Sequence, residues 1–318
     1  MTGGRNAAPK FSVVIATFRR PDVLAPTLDR LTPVVQQVPS ELFEIIVADD
    51  SRDDRTEQMV RDRYPHVRYV RAPGRGPAAN RNSGAAAATG EWLAFIDDDC
   101  RPIEGWLAAL DRAETSRPLD VIEGAILASN KPDSPFWHHV ENLTGDLYWT
   151  SNLAVRREIF DRLGRFDEDF TEAVCEDLEF SARIRRSGVP TQFCRAAAVE
   201  HRDIAVTWRY VVWRQLAQRW HVLYALKAGH APPPTAPDWR ALVFLIVNRT
   251  LNLIRITWRS FRHPDRTQLR TTMFNVTLSW IFFPISLPYL MYWDLRFRRM
   301  IRERSRPLRA AVREHSRP

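Results

Sequence analysis

The run Trp92-Leu93-Ala94-Phe95-Ile96-Asp97-Asp98-Asp99 constrains this chain more than any other segment, because five apolar residues lead straight into three carboxylates. An unbroken apolar run of that length reads as a strand buried on both faces, which belongs inside a sheet rather than at its rim. Its acids then emerge at the strand's carboxyl end. In a doubly wound sheet that edge is where ligands bind, and grouped carboxylates there suit a divalent cation held against phosphate. Taken alone, the triplet is equally an acidic turn after a buried strand.

The neighbouring segments supply the rest of such a sheet. Phe11-Ser12-Val13-Val14-Ile15-Ala16 and Glu44-Ile45-Ile46-Val47-Ala48 read as two more buried strands, the second ending at Asp49-Asp50-Ser51. Helical spacing covers 22–37, interrupted by Pro26 and Pro33, then 54–63 and the alanine-rich 78–89, with a short strand at 67–70. Strands alternating with helices predict an α/β fold with a mostly parallel sheet flanked by helices. Later, 121–127 and 153–155 read as strands, 156–162 and 176–187 as helices, and 191–194 and 197–200 as extended segments. There is no internal repeat.

The polar first ten residues read as a flexible arm without the apolar stretch of a secretory signal. Cys100, Cys175 and Cys194 are odd in number and lack CxxC spacing, which argues against a disulfide framework or a zinc site and for a reducing, cytoplasmic compartment.

Two segments beside the acidic strand carry further chemistry. Asp49 and Asp50 end a strand, where an acid accepts hydrogen bonds from a ribose or a base edge; a turn or cap is the alternative. Arg75-Gly76-Pro77-Ala78-Ala79-Asn80-Arg81-Asn82-Ser83-Gly84 offers glycine, amides and guanidinium groups near a helix start, suitable for a diphosphate. It matches neither GxGxxG nor GxxxxGK[ST], so dinucleotide and P-loop readings fail.

Together these segments resemble the GT-A glycosyltransferases of family 2. The resemblance rests on Phe11 to Thr17, Ile45 to Ser51, Ala79 to Gly84 and Phe95 to Asp99, in that family's order and at similar spacing. Two more segments extend it to about residue 203: Thr150 to Arg157 with Leu163 to Glu168, and Glu176-Asp177-Leu178-Glu179-Phe180-Ser181-Ala182-Arg183-Ile184. The departures are Ser51-Arg52-Asp53 for a Gly-Ser-Thr turn and Arg165 for a glycine. The resemblance implies a GT-A catalytic domain over 11–205, a nucleotide-diphosphate sugar as donor and inversion at the anomeric carbon. It implies a donor side of Thr17, Asp49, Asp50, Arg75, Asn80, Arg81, Asp97 and Asp98, with Asp50 at the nucleoside and Asp97 near the ribose. It implies an acceptor side with Asn152 and Arg156, and Mg2+ or Mn2+ on Asp99. His201 follows the last extended segment, where several members of the family complete the metal site with a histidine. Asp177 is the implied general base, which must take the acceptor hydroxyl proton, with Glu176 and Glu172 as competitors.

The formal charge of +8 hides a division. Residues 206–318 hold 20 Lys+Arg against 5 Asp+Glu, a net of +15, while the rest of the chain carries −7. Seven of the eleven tryptophans lie in this basic part. Residues 231–237, rich in proline, form a linker that cannot be helical. Residues 241–258 mix apolar side chains with Arg249 and Arg255, which suits an interfacial helix. Residues 271–293 carry no charge and are long enough to span a hydrocarbon core of ~30 Å, yet Pro284 and Pro288 fit a pair of short re-entrant or interfacial helices equally. The expectation is a helical region over 206–300 contacting an anionic membrane through 241–300, then a basic tail over 301–318, with a helical cap on the catalytic core as the alternative. No nucleic-acid partner is expected, since no recognition motif accompanies the charge. The expected function is sugar transfer to a hydroxyl acceptor, a lipid-linked glycan or surface polysaccharide, at the inner face of the cell membrane. A nucleotidyltransferase and a non-catalytic nucleotide-sugar binding module are the alternatives.

Overall fold

A computed structural model describes residues 8–130, 134, 136–262 and 269–315. The chain divides into two compact units, one of residues 1–131 and 139–203, the other of 132–138 and 204–318, as far as their residues are described.

The first unit runs β1 (Phe11–Thr17), α1 (Pro21–Asp29), α2 (Pro33–Gln36), β2 (Phe43–Asp49), α3 (Arg55–Arg63), β3 (Arg68–Arg71), α4 (Pro77–Ala87), β4 (Trp92–Asp97), β5 (Cys100–Pro102), α5 (Trp106–Ser116) and β6 (Val121–Ala128). The two-residue strand β7 (Trp137–His138) belongs to the second unit, after which the first resumes with β8 (Asn152–Arg156), α6 (Arg157–Arg162), α7 (Glu176–Ser187) and β9 (Thr191–His201). Eight strands form one sheet in the order β3-β2-β1-β4-β8-β6-β9-β5. β3, β2, β1 and β4 are mutually parallel, as the alternating strands and helices predict. Beyond β4 the sheet is mixed: β8 runs antiparallel to β4 and β6, β9 parallel to β6, and β5 antiparallel to β9.

The strands are apolar on both faces because both faces are covered. Val13, Ile15, Trp92, Ala94 and Ile96 pack with Leu24, Leu28 and Trp106 on one side. Val14, Ile46, Leu93 and Phe95 pack with Ala78, Phe160 and Phe180 on the other. Phe95 stacks at 5.3 Å on Phe160 and 5.2 Å on Phe166, and Phe180 lies 5.4 Å from Phe160. Aromatic contacts of this kind add to area burial and fix where α7 begins against the end of β4.

The expected helix over 22–37 is two helices. Pro33 starts a new helix at its first turn, where its missing N–H costs nothing, and the Thr32 hydroxyl accepts from Val35 N at 3.3 Å as the cap. The extended segments 191–194 and 197–200 are one strand, β9, beside a register shift between Gly124 and Ile126 of β6. Helix α5 was not expected, although Trp106, Leu107, Leu110 and Ala113 bury one face at helical spacing. Arg165 has φ 60°, the left-handed conformation that explains a glycine there in the family; here its Nε donates to Asp161 Oδ1 at 2.7 Å.

The second unit adds β10 (Ile204–Ala205), antiparallel to β7, then α8 (Trp208–Leu216), α9 (Arg219–Lys227), α10 (Asp238–Arg262) and α11 (Leu269–His315). Residues 231–237 are non-helical, as expected. The uncharged run 271–293 lies in a single helix that continues through Pro284 and Pro288 rather than in a pair of short ones; its buried side, with Val276 and Leu290, extends across both prolines. α10 and α11 are antiparallel neighbours: Trp280 Nε1 donates to Thr257 Oγ1 at 2.9 Å, and at the other end Arg302 lies 3.6 Å from Asp238. Asp238–Trp258 and Thr271–Arg304 are long and apolar enough, by length and composition, to cross a membrane.

Candidate active site

Parallel strands deliver their carboxyl ends to one edge. Thr17 pairs with Asp49 across β1 and β2, and Ala16 with Asp97 across β1 and β4, so the acids of two strands meet there. β8 enters in the opposite sense, so its first residue, Asn152, pairs with Ile96 at that edge.

Asp97 lies at the centre. Its carboxylate accepts from Arg81 at 2.7 Å and from Ser151 Oγ at 2.7 Å. Burial opposes its ionisation, but Arg81 and Ser151 hold its carboxyl below the usual range. The same Arg81 donates to Glu176 Oε1 at 2.9 Å, so one buried guanidinium bridges two carboxylates. Asn80, one residue earlier on α4, donates from Nδ2 to Thr17 O at 2.9 Å and ties that helix to β1.

The two acids after Asp97 have different surroundings. Asp98 is fully buried and accepts from Thr17 Oγ1 at 2.6 Å and from Arg20, so Thr17 and Asp98 hold strand ends together with their polar groups turned on each other. Burial pushes the Asp98 carboxyl up to about 7, Arg20 opposing and Asp99 adding to the rise. Asp99 accepts from Arg20 Nη1 at 3.2 Å and faces His201, whose Nε2 is 3.6 Å from Asp99 Oδ1.

One ligand atom from each of Asp97, Asp99, Cys100 and His201 falls within 4.8 Å of the others. The donor set fits a divalent cation. His201 Nδ1 lies 3.0 Å from the Arg202 carbonyl, which only accepts, so Nδ1 carries a hydrogen and the ring turns Nε2 toward Asp99. Burial pushes the Cys100 thiol well up, which keeps it protonated and a poor partner for a hard cation. Asp97, Asp99 and His201 remain as the usable donors.

On the nucleoside side, Asp49 is fully buried and accepts from Ser51 N at 2.9 Å and from the Tyr69 hydroxyl at 3.2 Å. Asp50 accepts from Gly74 N at 2.9 Å and Gly76 N at 2.7 Å, and so shapes the loop that carries Arg75. Gly76 has φ +97°, and a Cβ there would come within 2.3 Å of Thr171 O, so that position admits only glycine. Arg75 itself is exposed and pairs with Glu168 at 2.9 Å.

Glu176 and Asp177 start α7. Glu176 is buried and bound to Arg81; burial raises its carboxyl to about 7, Asp177 adding to the rise and Arg81 opposing it. Asp177 is partly exposed and accepts from Leu178 N at 2.7 Å. Burial raises Asp177 as well, against the pull of Arg81.

The expected acceptor-side pair is not brought together. Asn152 spends its amide in the core: Oδ1 accepts from Trp106 Nε1 at 3.0 Å, and Nδ2 donates to Ala125 O and Ala197 O, each at 2.8 Å. Arg156 pairs with Trp92, at the opposite end of β4 from the acids. There it binds Glu114 at 2.8 Å, Leu119 O at 2.7 Å and Glu91, and covers the Trp92 ring at 4.8 Å. Arg156 thus lies away from the acids, four residues of strand, ~13 Å, from Asn152, and its contacts here are to the scaffold. Arg156→Ala should cost about 1–3 kcal/mol of stability, from the lost charged hydrogen bonds, and leave acceptor KM unchanged. Paired denaturation and kinetic measurements check this; a raised KM at unchanged stability would return Arg156 to the acceptor side.

Arg20 and Ser151 belong to the cluster and were not anticipated. Each had a signal: Arg20 lies three residues past the end of β1, and Ser151 immediately precedes Asn152.

Residues 12–185 match the profile of glycosyl transferase family 2. The chain belongs to that family. This family-2 chain is 29% identical over 238 residues to validoxylamine A glucosyltransferase of Streptomyces hygroscopicus subsp. limoneus, an alignment covering 61% of this chain and 52% of that one. It is 26% identical over 234 residues to the succinoglycan biosynthesis protein ExoM of Rhizobium meliloti, covering 67% and 72%. It spans about half the length of several curated relatives it matches. Among solved structures it resembles the mannosyltransferase PcManGT from Pyrobaculum calidifontis, in complex with GDP-Man and Mn2+, with TM-score 0.55, 17% identity and 87% of each chain covered. The family-2 chain thus has the GT-A type of fold, an α/β sheet flanked by helices, with two long apolar helices following.

Proposed function

We propose that this chain is an inverting glycosyltransferase that moves a sugar from a nucleotide-diphosphate sugar to a hydroxyl acceptor. The observation that carries the reading is the family-2 match over 12–185, which contains the acids at the sheet edge and at the start of α7. In this reading the acceptor oxygen attacks the anomeric carbon, the bond to the diphosphate breaks, and the hydroxyl proton passes to Asp177. Glu176, bound to Arg81, positions the helix start instead. Asp99 and His201, with Asp97, would hold Mg2+ or Mn2+. A bound cation supplies charge stabilisation for the departing nucleoside diphosphate. Asp50 and the loop it shapes, with Arg75, would receive the nucleoside and diphosphate.

ExoM and the glucosyltransferase suggest a saccharide or glycolipid acceptor. The basic, apolar second unit favours one carried on lipid at the cytoplasmic face of a membrane, with 11–205 catalytic and 206–300 membrane-associating. Extraction should then need detergent rather than salt or carbonate.

The test is a screen of UDP-, GDP- and dTDP-sugars by thermal shift, with and without Mn2+, followed by donor hydrolysis and transfer assays. One nucleotide class should raise the transition temperature in a cation-dependent way and be consumed with release of nucleoside diphosphate. Pyrophosphate release from a nucleoside triphosphate and a sugar phosphate would instead establish a nucleotidyltransferase. Binding without turnover would leave a binding module.

A further inference from the structure

We infer that α10 and α11 lie in the plane of an anionic bilayer, embedding one mainly apolar face each, and do not cross it. The inference rests on the membrane association proposed above and supplies its geometry.

Most of the large apolar residues that each helix exposes gather on one stripe, Ile256 of α10 lying outside it. α10 exposes Trp239, Val243, Val247, Leu251, Ile254 and Trp258, which fall on one face at helical spacing. α11 exposes Met273, Trp280, Ile281, Ile285 and Tyr292 in the same manner, with Ile285 69% exposed. Both stripes run the length of the apolar segments. A helix crossing lipid is apolar around its lipid-facing circumference. α10 instead turns Arg249 away from its stripe to donate to Gln218, between α8 and α9.

The layer formed by α8 and α9 decides between the two geometries. At one end of the apolar run, Trp208 of α8 stacks on Phe274 of α11 at 5.6 Å. Near the other end, Arg219 of α9 donates to the Tyr289 hydroxyl at 2.8 Å and Trp220 stacks on Phe297 at 5.9 Å. α8 and α9 therefore accompany α11 across the whole of 271–293. They carry Arg209, Arg214, Arg219 and Lys227, with Arg209 and Arg214 exposed. If α11 crossed the bilayer along that run, these charges would be drawn through the hydrocarbon, where they are costly. Lying flat, the same charges sit at the headgroups and attract anionic lipid, in keeping with the net of +15 over 206–318. Trp239, Trp258 and Trp280 then occupy the interface that indole rings prefer, and Arg255 at the flank of the stripe reaches out to the headgroups.

Two measurements test this with the full chain. Purified protein is floated with vesicles of phosphatidylcholine alone or mixed with phosphatidylglycerol. The mixed vesicles should bind it more tightly, and Val247→Glu with Ile281→Glu should weaken that binding by at least about tenfold, as expected for losing two buried aliphatic side chains. Second, His230→Cys and Arg262→Cys, exposed sites near opposite ends of α10, are placed singly in a Cys194→Ser background. Sealed membrane vesicles from the expressing cells are then treated with an impermeant maleimide. In-plane helices make both cysteines react from the same side. Reaction from opposite sides would overturn the in-plane geometry while leaving membrane association standing. Failure of the wild-type chain to float with either vesicle would overturn the membrane association itself. The labelling depends on exposed positions alone, so it stands even if the double glutamate variant misfolds.

Discussion

Asp99→Ala should abolish sugar transfer, a loss of ~10³-fold or more, and should remove the cation-dependent part of donor binding. The side chain faces the Nε2 of His201 at 3.6 Å, and with Asp97 it completes a set of hard donors. Charge stabilisation by a bound cation is worth several kcal/mol in the transition state, which sets that scale. The scaffold should survive, because Arg20 keeps its contact with Asp98 when Asp99 is removed. His201→Ala should weaken the metal titration less, since both carboxylates remain. Calorimetric titration of Mn2+ and donor into each variant, beside transfer rates in EDTA, checks the assignment. Full activity in EDTA together with an active Asp99→Ala enzyme would refute it, and an unchanged metal titration in His201→Ala would make that histidine structural.

Asp177→Asn should retain donor binding and lose transfer by roughly the 10²–10⁴-fold attributed to general acid–base catalysis. Asp177 is the partly exposed member of the pair at the start of α7, whereas Glu176 is buried on Arg81. Glu176→Gln keeps an oxygen for Arg81 and should therefore lower the rate less. The pH profile gives an independent readout. A base must be ionised to act, so activity falls as pH drops through its pKa. Burial raises Asp177, so the acid limb should lie above an ordinary aspartate's, with transfer growing as pH rises through it. Near-normal turnover by Asp177→Asn with an inactive Glu176→Gln would move the base to Glu176.

These expectations draw unequally on sequence and structure. The parallel half of the sheet was legible because β1, β2 and β4 are buried on both faces, and double burial leaves unbroken apolar runs in the sequence. The acids were legible because each follows such a run directly. Short elements were not: β5 and β10 are three and two residues long, too short to show a period. The split of 22–37 could be suspected from Pro33, but Pro26 lies inside α1 without ending it, so proline alone does not locate a break.

Among the site residues, sequence determined which acids gather at the edge, and tertiary structure decided what each one does there. Asp98 and Asp99 are adjacent and chemically identical, yet one is enclosed by Thr17 and Arg20 while the other faces His201 from β9, about a hundred residues later in the chain. Asn152 and Arg156 belong to one short segment, but β8 places them at opposite ends of β4, and its antiparallel entry decides that Asn152 is the one at the acidic end. The basic, tryptophan-rich composition of the second unit was plain in the sequence, whereas the lie of its helices depends on α8 and α9 packing along α11. The physical reason is the same in each case. Burial periodicity and local charge are written by residues a few positions apart, and the chain itself sets that spacing. A side chain's partner is chosen by which strands pair, in which direction, and which helix covers them, and those contacts join residues that no local spacing relates.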